Sequence, residues 1–212
     1  MQMYDSDIPK ILKDYLNYNA NLNKSKATIT EYRYDLTNFL KYIKLLKLND
    51  RKLTIDDISS IKDIDSKFLN GIDLNDIYAY MSYLKDCCDD KPATRARKVA
   101  SIKSFFKYLH LKAKLIDDNP AKELESPKLG KRLPKYLTLE QSTELLHNVK
   151  NKELTGRQHD NTLRDYAIIT LFLNCGMRLS ELVSIDIGHI KFDENILTVV
   201  RKRRQRKNCL FK

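Results

Sequence analysis

The stretch that most limits how this chain can fold is SPKLGKRLPKY, residues 126–136. Pro127 and Pro134 lack the N–H that a helix interior needs, and Gly130 costs backbone entropy in any regular element. Apolar periodicity stops here and resumes near residue 137. Lys128, Lys131, Arg132 and Lys135 make the same stretch basic. It reads as a linker between two domains, a first over residues 1–125 and a second starting at 137.

On both sides the apolar residues recur at helical spacing, so the chain reads as mainly α up to about residue 186. Ile8, Ile11, Leu12 and Tyr15 predict a helix over 8–18. TITE predicts the start of a second, with Thr28 and Glu31 as a capping box and Ile29, Tyr32, Leu36, Phe39, Leu40 and Ile43 as its apolar face. A looser acidic region over 49–71 follows. A third helix carries Ile77, Met81 and Leu84. A fourth starts near Thr94 and turns Val99, Ile102, Phe106 and Leu109 inward. Beyond the linker, Thr138 with Gln141 predicts a capped helix start. TLRDYAIITLFLN reads as a strongly apolar helix at the centre of a core. Gly176 ends it, RLSELVSI opens a short helix, and HIKF, a DEN turn and ILTVV form a hairpin-like pair.

No apolar run is long enough to span a bilayer, and the N-terminus lacks the pattern of a secretory signal. Cys87, Cys88, Cys175 and Cys209 fit neither a metal site nor a disulfide framework, which points to a reducing cytoplasm. No metal site is expected. The formal net charge is +11. Residues 201–212 hold seven of those charges and no acid, which leaves +4 for residues 1–200. A second acid-free stretch, residues 91–116, holds eight cations. The rest is therefore net acidic, and the basicity has two separate sources.

On the fourth helix Arg95, Lys98, Lys103 and Lys107 are expected to face outward or flank the apolar stripe, with no acid nearby. Contact with nucleic-acid phosphates is one use for them, and Lys128, Lys131 and Arg132 of the linker extend it. The alternative is an ordinary solvated basic face. Such contacts carry no sequence information, so the target cannot be read from them. In NCGMRLSELVSI, Arg178 follows a glycine turn and opens a helix. A helix N-terminus favours anions, and a guanidinium adds a fork that spans two phosphate oxygens. The competing use of Arg178 is a plain ion pair with Glu181, three residues on.

CGMRLSELVSIDIGHI closely resembles the first catalytic-arginine motif of the tyrosine recombinases, of the Xer and lambda-integrase type. TITEYRYDLTNFLKYI and ATRARKVASIKSFFKYL resemble the family's helical core-binding domain, and NPAKELESPKLGKRLPKYLTLEQ its join to the catalytic domain. The resemblance covers nearly the whole chain. It implies a SAM-like helical domain followed by the first part of an α+β catalytic domain, the two closing on duplex DNA. It implies site-specific recombination or integration through a 3′-phosphotyrosyl link, with no cofactor. The partners would be a double-stranded recombination site and further recombinase protomers, four on two sites. By match, Arg178 would hold the non-bridging phosphate oxygens, Glu181 would support it, and a hairpin lysine would protonate the leaving oxygen. Lys202 stands near that lysine's place, in the wrong peptide context.

The family's later motifs, His-x-x-Arg and the nucleophilic tyrosine, have no counterpart. The twelve tyrosines all lie at or before Tyr166 and none is taken as nucleophile. After ILTVV the family shows a stretch like Gly-Lys-Gly-x-Lys-Glu-Arg. Here stands RKRRQRKNCLFK. One synonymous spelling of that tail, read one nucleotide later, gives Gly-Lys-Gly-Asp-Lys-Glu-Arg-Thr-Val-Tyr-Leu. Residues 201–212 are therefore expected to be out of frame, residues 137–200 a partial catalytic domain, and ILTVV a strand without its neighbour. A gene sequence that runs unshifted through codon 201 to a natural stop would refute the frameshift. Two other readings stand beside the truncated recombinase: a non-enzymatic DNA-binding module that competes with a full recombinase, and a helical protein with no nucleic-acid role.

Overall fold

The computed structural model describes residues 7–50, 52–130, 133–150, 157–200 and 206–210. The chain divides into two compact units, Met1–Lys131 and Arg132–Lys212.

The first unit is helical: α1 (Lys10–Asn21), α2 (Lys26–Leu48), α3 (Ser66–Asn70), α4 (Leu74–Asp86) and α5 (Pro92–Tyr108), the last continued by a π turn, Leu109–Ala113. α1 starts two residues later than its apolar spacing suggested, because Pro9 holds the N-cap position in an extended conformation. α2 corrects the TITE reading. Its N-cap is Ser25, whose hydroxyl accepts from the Thr28 amide at 3.2 Å. Thr28 lies inside the first turn, and Glu31 pairs with Arg97 instead of reaching back. α4 is closed by a reciprocal box in which Asp73 accepts from the Asp76 amide and Asp76 from the Asp73 amide. α5 begins on Pro92, where a missing N–H costs nothing.

The core joins Leu12 and Tyr15 of α1, Leu36, Phe39 and Ile43 of α2, Ile77 and Tyr80 of α4, and Val99, Ile102, Phe105 and Phe106 of α5. The irregular segment between α2 and α4 contributes as well: Ile58, Ile61, Ile64 and Leu69 are buried. The Ile61 amide donates to the Asp7 carbonyl at 3.0 Å, which ties that segment to the start of the chain.

The second unit holds α6 (Leu139–Lys150), α7 (Arg157–Cys175), α8 (Leu179–Val183) and an antiparallel sheet β1 (Ile190–Lys191), β2 (Ile196–Val200), β3 (Arg206–Leu210) in that order. Thr138 and Gln141 form the expected box: the Thr138 amide donates to Gln141 Oε1 at 3.0 Å and the Gln141 amide to Thr138 Oγ1 at 3.3 Å. Thr138→Ala should weaken the start of α6 by about 1 kcal/mol. Amide exchange at Gln141, followed by NMR, should then speed up by about fivefold; an unchanged rate would show that the hydroxyl does not cap.

Two expectations change here. α7 is not a buried central helix. Ile168, Ile169, Leu171 and Phe172 are half-buried, and Leu163 and Leu173 are exposed. Among the described residues only Cys175, Met177, Leu197 and Val199 form a buried apolar group in this unit. Among the described residues too little apolar surface surrounds α7 to enclose it, and an open cavity of about 310 Å³ lies along it, against Ile185, Ile190 and Leu197. Nor is β2 without a neighbour. β3 pairs along its whole length, from Ile196 opposite Leu210 to Val200 opposite Arg206. A free strand edge offers unpaired N–H and C=O groups to any extended segment, whatever its side chains, and residues 206–210 satisfy them.

Candidate nucleic-acid interface and arginine site

Gly176 takes φ +55°, the left-handed conformation that ends α7, and its amide donates to the Phe172 carbonyl at 3.1 Å. Met177 is then buried, and Arg178 becomes the N-cap of α8. Glu181 sits three residues on and is buried. One of its oxygens accepts from the Arg178 amide at 3.0 Å and the other from Arg178 Nη1 at 2.9 Å. The carboxylate thus holds both backbone and side chain of the arginine. It does so from below, since the Glu181 side chain is 6 % exposed and that of Arg178 74 %. The local ion pair exists, and it does not use up the arginine. A guanidinium carries five N–H donors, and its outer edge is open to solvent. Such a fixed fork beside the first free amides of a helix suits an anion with two oxygens.

The cations proposed on α5 are placed differently from one another. Lys107 is exposed, as expected. Lys98 is a correction: it is buried, and its ammonium donates to Asp90 at 2.7 Å. Lys98 shares the inward face with Ile102, Phe105 and Leu109 at spacings of four, seven and eleven. The acid that compensates it stands one residue before the acid-free stretch. Lys103 is half-buried and donates to the Leu124 carbonyl at 2.9 Å, so it ties α5 to the irregular segment that follows it. Arg95 is half-buried, with its Nε buried and without a hydrogen-bond partner among the described residues. Lys128 is exposed. Lys131, Arg132 and Lys202 lie outside the described residues.

Sequence reading missed a second arginine. Arg97 Nη1 donates to Asp35 of α2, which is fully buried, and contacts Glu31 at 2.8 Å. Ser101 Oγ donates to the same Asp35 oxygen at 2.7 Å. The signal was available. Asp35 falls between Tyr32 and Phe39 at spacings of three and four, so an acid occupies the apolar stripe of α2 and calls for a buried partner.

Burial pushes the Tyr15 and Tyr83 phenols up to about 12 and raises those of Tyr42, Tyr80 and Tyr108. Among the described residues no cluster of three or more His, Cys, Asp or Glu could hold a metal ion, and no helix is long and apolar enough to cross a membrane.

Solved structures of DNA recombinases share this fold. The XerH site-specific recombinase bound to palindromic difH substrate, a post-cleavage complex, shares the fold with a TM-score of 0.63 at 19% identity, over 90% of this chain and 50% of that chain. The Tn1549 transposon integrase in complex with circular intermediate DNA gives 0.59 at 17% identity, over 96% and 61%. Residues 135–211 match the phage integrase family. Tyrosine recombinase XerC of Caldanaerobacter subterraneus subsp. tengcongensis is 47% identical over 199 residues, covering 92% of this chain and 52% of that protein. Tyrosine recombinase XerD of Pasteurella multocida is 34% identical over 178 residues, covering 84% and 51%. The chain belongs to the tyrosine recombinase family. It spans about half the length of the curated relatives it matches.

Proposed function

We propose that this chain binds duplex DNA as part of a site-specific recombinase of the Xer type, acting in the cytoplasm on a recombination site together with further recombinase protomers. The observation that carries the reading is the exposed Arg178 guanidinium held on buried Glu181 at the start of α8. In strand transfer, negative charge builds on the non-bridging oxygens of the attacked phosphate. A fork fixed before the reaction stabilises that charge without reorganising. Glu181 touches no phosphate in this scheme and acts through the arginine, as a positioning residue. No metal or nucleotide is required, because the family's phosphotyrosyl link conserves the energy of the cleaved bond.

The attacking tyrosine has no candidate in these residues, so the 212-residue chain is expected to bind and not to cleave. Incubated with a suicide-nicked recombination site, it should shift the DNA without forming an adduct stable to denaturation. Its log affinity should fall with log salt by about 0.9 for each phosphate contacted. A covalent adduct would overturn the proposal that this chain lacks cleavage, and no binding at low salt would overturn the DNA role. Binding with a steep slope and no adduct is also what a non-catalytic competitor of a full recombinase would show. Inhibition of a full recombinase by added chain would favour that second role.

A further inference from the structure

The outward face of α5 is not where its lysines suggested. Ala93, Arg97, Ala100 and Lys107 are exposed, with Ser104 half-buried between them. At 3.6 residues per turn these positions form one stripe, opposite the buried stripe of Lys98, Ile102, Phe105 and Leu109. Arg97 is therefore the cation at the middle of the free face, and small residues flank it at 93 and 100. Neither alanine has a side chain long enough to hold another backbone away.

Arg97 is also held in a particular way. Asp35 lies beneath it with 0% side-chain exposure, while the Arg97 side chain is 40% exposed. Ser101, one turn along α5, donates to the same Asp35 oxygen and fixes the carboxylate from α5 itself. Glu31 approaches from the outer side and is 57% exposed. Both acids meet the guanidinium at Nη1, and no bond among the described residues occupies Nε or Nη2. A buried acid beneath an exposed arginine is the arrangement of Glu181 and Arg178, repeated in the other unit.

We propose that Arg97 is a DNA phosphate ligand, braced from below by Asp35 and covered by Glu31 until a phosphate takes the place of Glu31. The inference rests on the DNA-binding reading above and adds a residue and a competition to it. Two carboxylates and one guanidinium sum to one negative charge, so a phosphate cannot join while Glu31 stays. Asp35, enclosed and bonded to Ser101, has nowhere to go. Glu31 is on the surface and moves at little cost. The lysines that the helix turns inward or bonds internally, Lys98 and Lys103, take no part.

The competition gives a sign that a purely structural pair would not. Anisotropy of a fluorescein-labelled duplex of arbitrary sequence, titrated over a range of salt, compares the full chain with its variants. Glu31→Gln should tighten binding by about three- to fivefold, because it removes a surface competitor. Arg97→Gln should weaken binding by about tenfold at low salt and reduce the salt slope by about 0.9, the share of one phosphate. If Arg97→Gln fails to fold by circular dichroism, Asp35→Asn with Arg97→Gln removes the uncompensated buried charge and carries the same two expectations. Glu31→Gln that binds no tighter, or an Arg97 variant with an unchanged slope, overturns the assignment and leaves the DNA role standing. Absence of binding by the unaltered chain at low salt overturns both.

Discussion

Phe39→Ala lowers the unfolding free energy of the first unit by about 3 to 5 kcal/mol, the range for emptying a fully buried aromatic site. Phe39 has 0% exposure and lies where three helices meet. From α2 it presents an edge-to-face contact to Tyr80 of α4, with ring centroids 5.3 Å apart, and another to Phe106 of α5 at 6.0 Å. Both neighbours are themselves fully buried and touch further rings, so the surroundings cannot close the gap without moving a helix. Total stabilities of natural domains are about 5 to 15 kcal/mol, so this loss takes a large share. Urea unfolding followed by near-ultraviolet circular dichroism reads it directly, since the chain has no tryptophan and its signal comes from tyrosine and phenylalanine. Tyr34→Ala is the control: that ring is 60% exposed, and its loss should change stability by less than about 0.5 kcal/mol. A Phe39 variant as stable as the control would mean that the aromatic junction does not hold the helices together.

What the sequence made legible follows a physical rule: features set by residues within one or two turns could be read, and features set across the fold could not. Thr138 with Gln141 and the Arg178–Glu181 pair are local, and their residue types leave few alternatives. The start of α2 is local too, yet it was misplaced. Ser25 and Thr28 can each supply a capping oxygen, and the chain uses Ser25, with Thr28 donating its amide to it. Glu31 is taken by Arg97, sixty-odd positions away, and periodicity cannot show that. The same distance hid the role of Asp35, although its place on an apolar stripe marked it as unusual. Lys98 could have been placed inside from its spacing to Ile102 and Phe105; counting it as a surface cation gave composition more weight than periodicity. β3 has no apolar alternation to announce it, and only the open edge of β2 calls for it.

Arg97→Met is expected to cost about 2 to 3 kcal/mol at neutral pH, and the loss should be largely recovered by adding Asp35→Leu. Asp35 is the reason for both halves. One of its oxygens takes Arg97 and Ser101; the other is buried with no partner among the described residues. Burial holds its pKa above the ordinary carboxylate value, although the Ser101 hydroxyl and the Arg97 charge pull it down. Without Arg97 the buried charge has lost its main compensation. The cost stays below that of a fully enclosed pair because Arg97 is 40% exposed and Asp35 can take up a proton. That escape fixes the pH dependence. With a folded-state pKa above the unfolded one, the folded chain binds the extra proton between the two values, so this group's contribution falls as pH rises through that window. Arg97→Met raises the folded value further and widens the window. Urea unfolding at pH 5 and pH 8 should therefore show a larger deficit for the single variant at pH 8. The double variant, with no carboxyl at position 35, should show almost none at either pH. Asp35→Leu removes the charge that needed Arg97, and Ser101 keeps a bond to the Arg97 carbonyl at 3.3 Å. A double variant no more stable than Arg97→Met alone, or a deficit that ignores pH, would show that the pair is not a buried charge and its counterion.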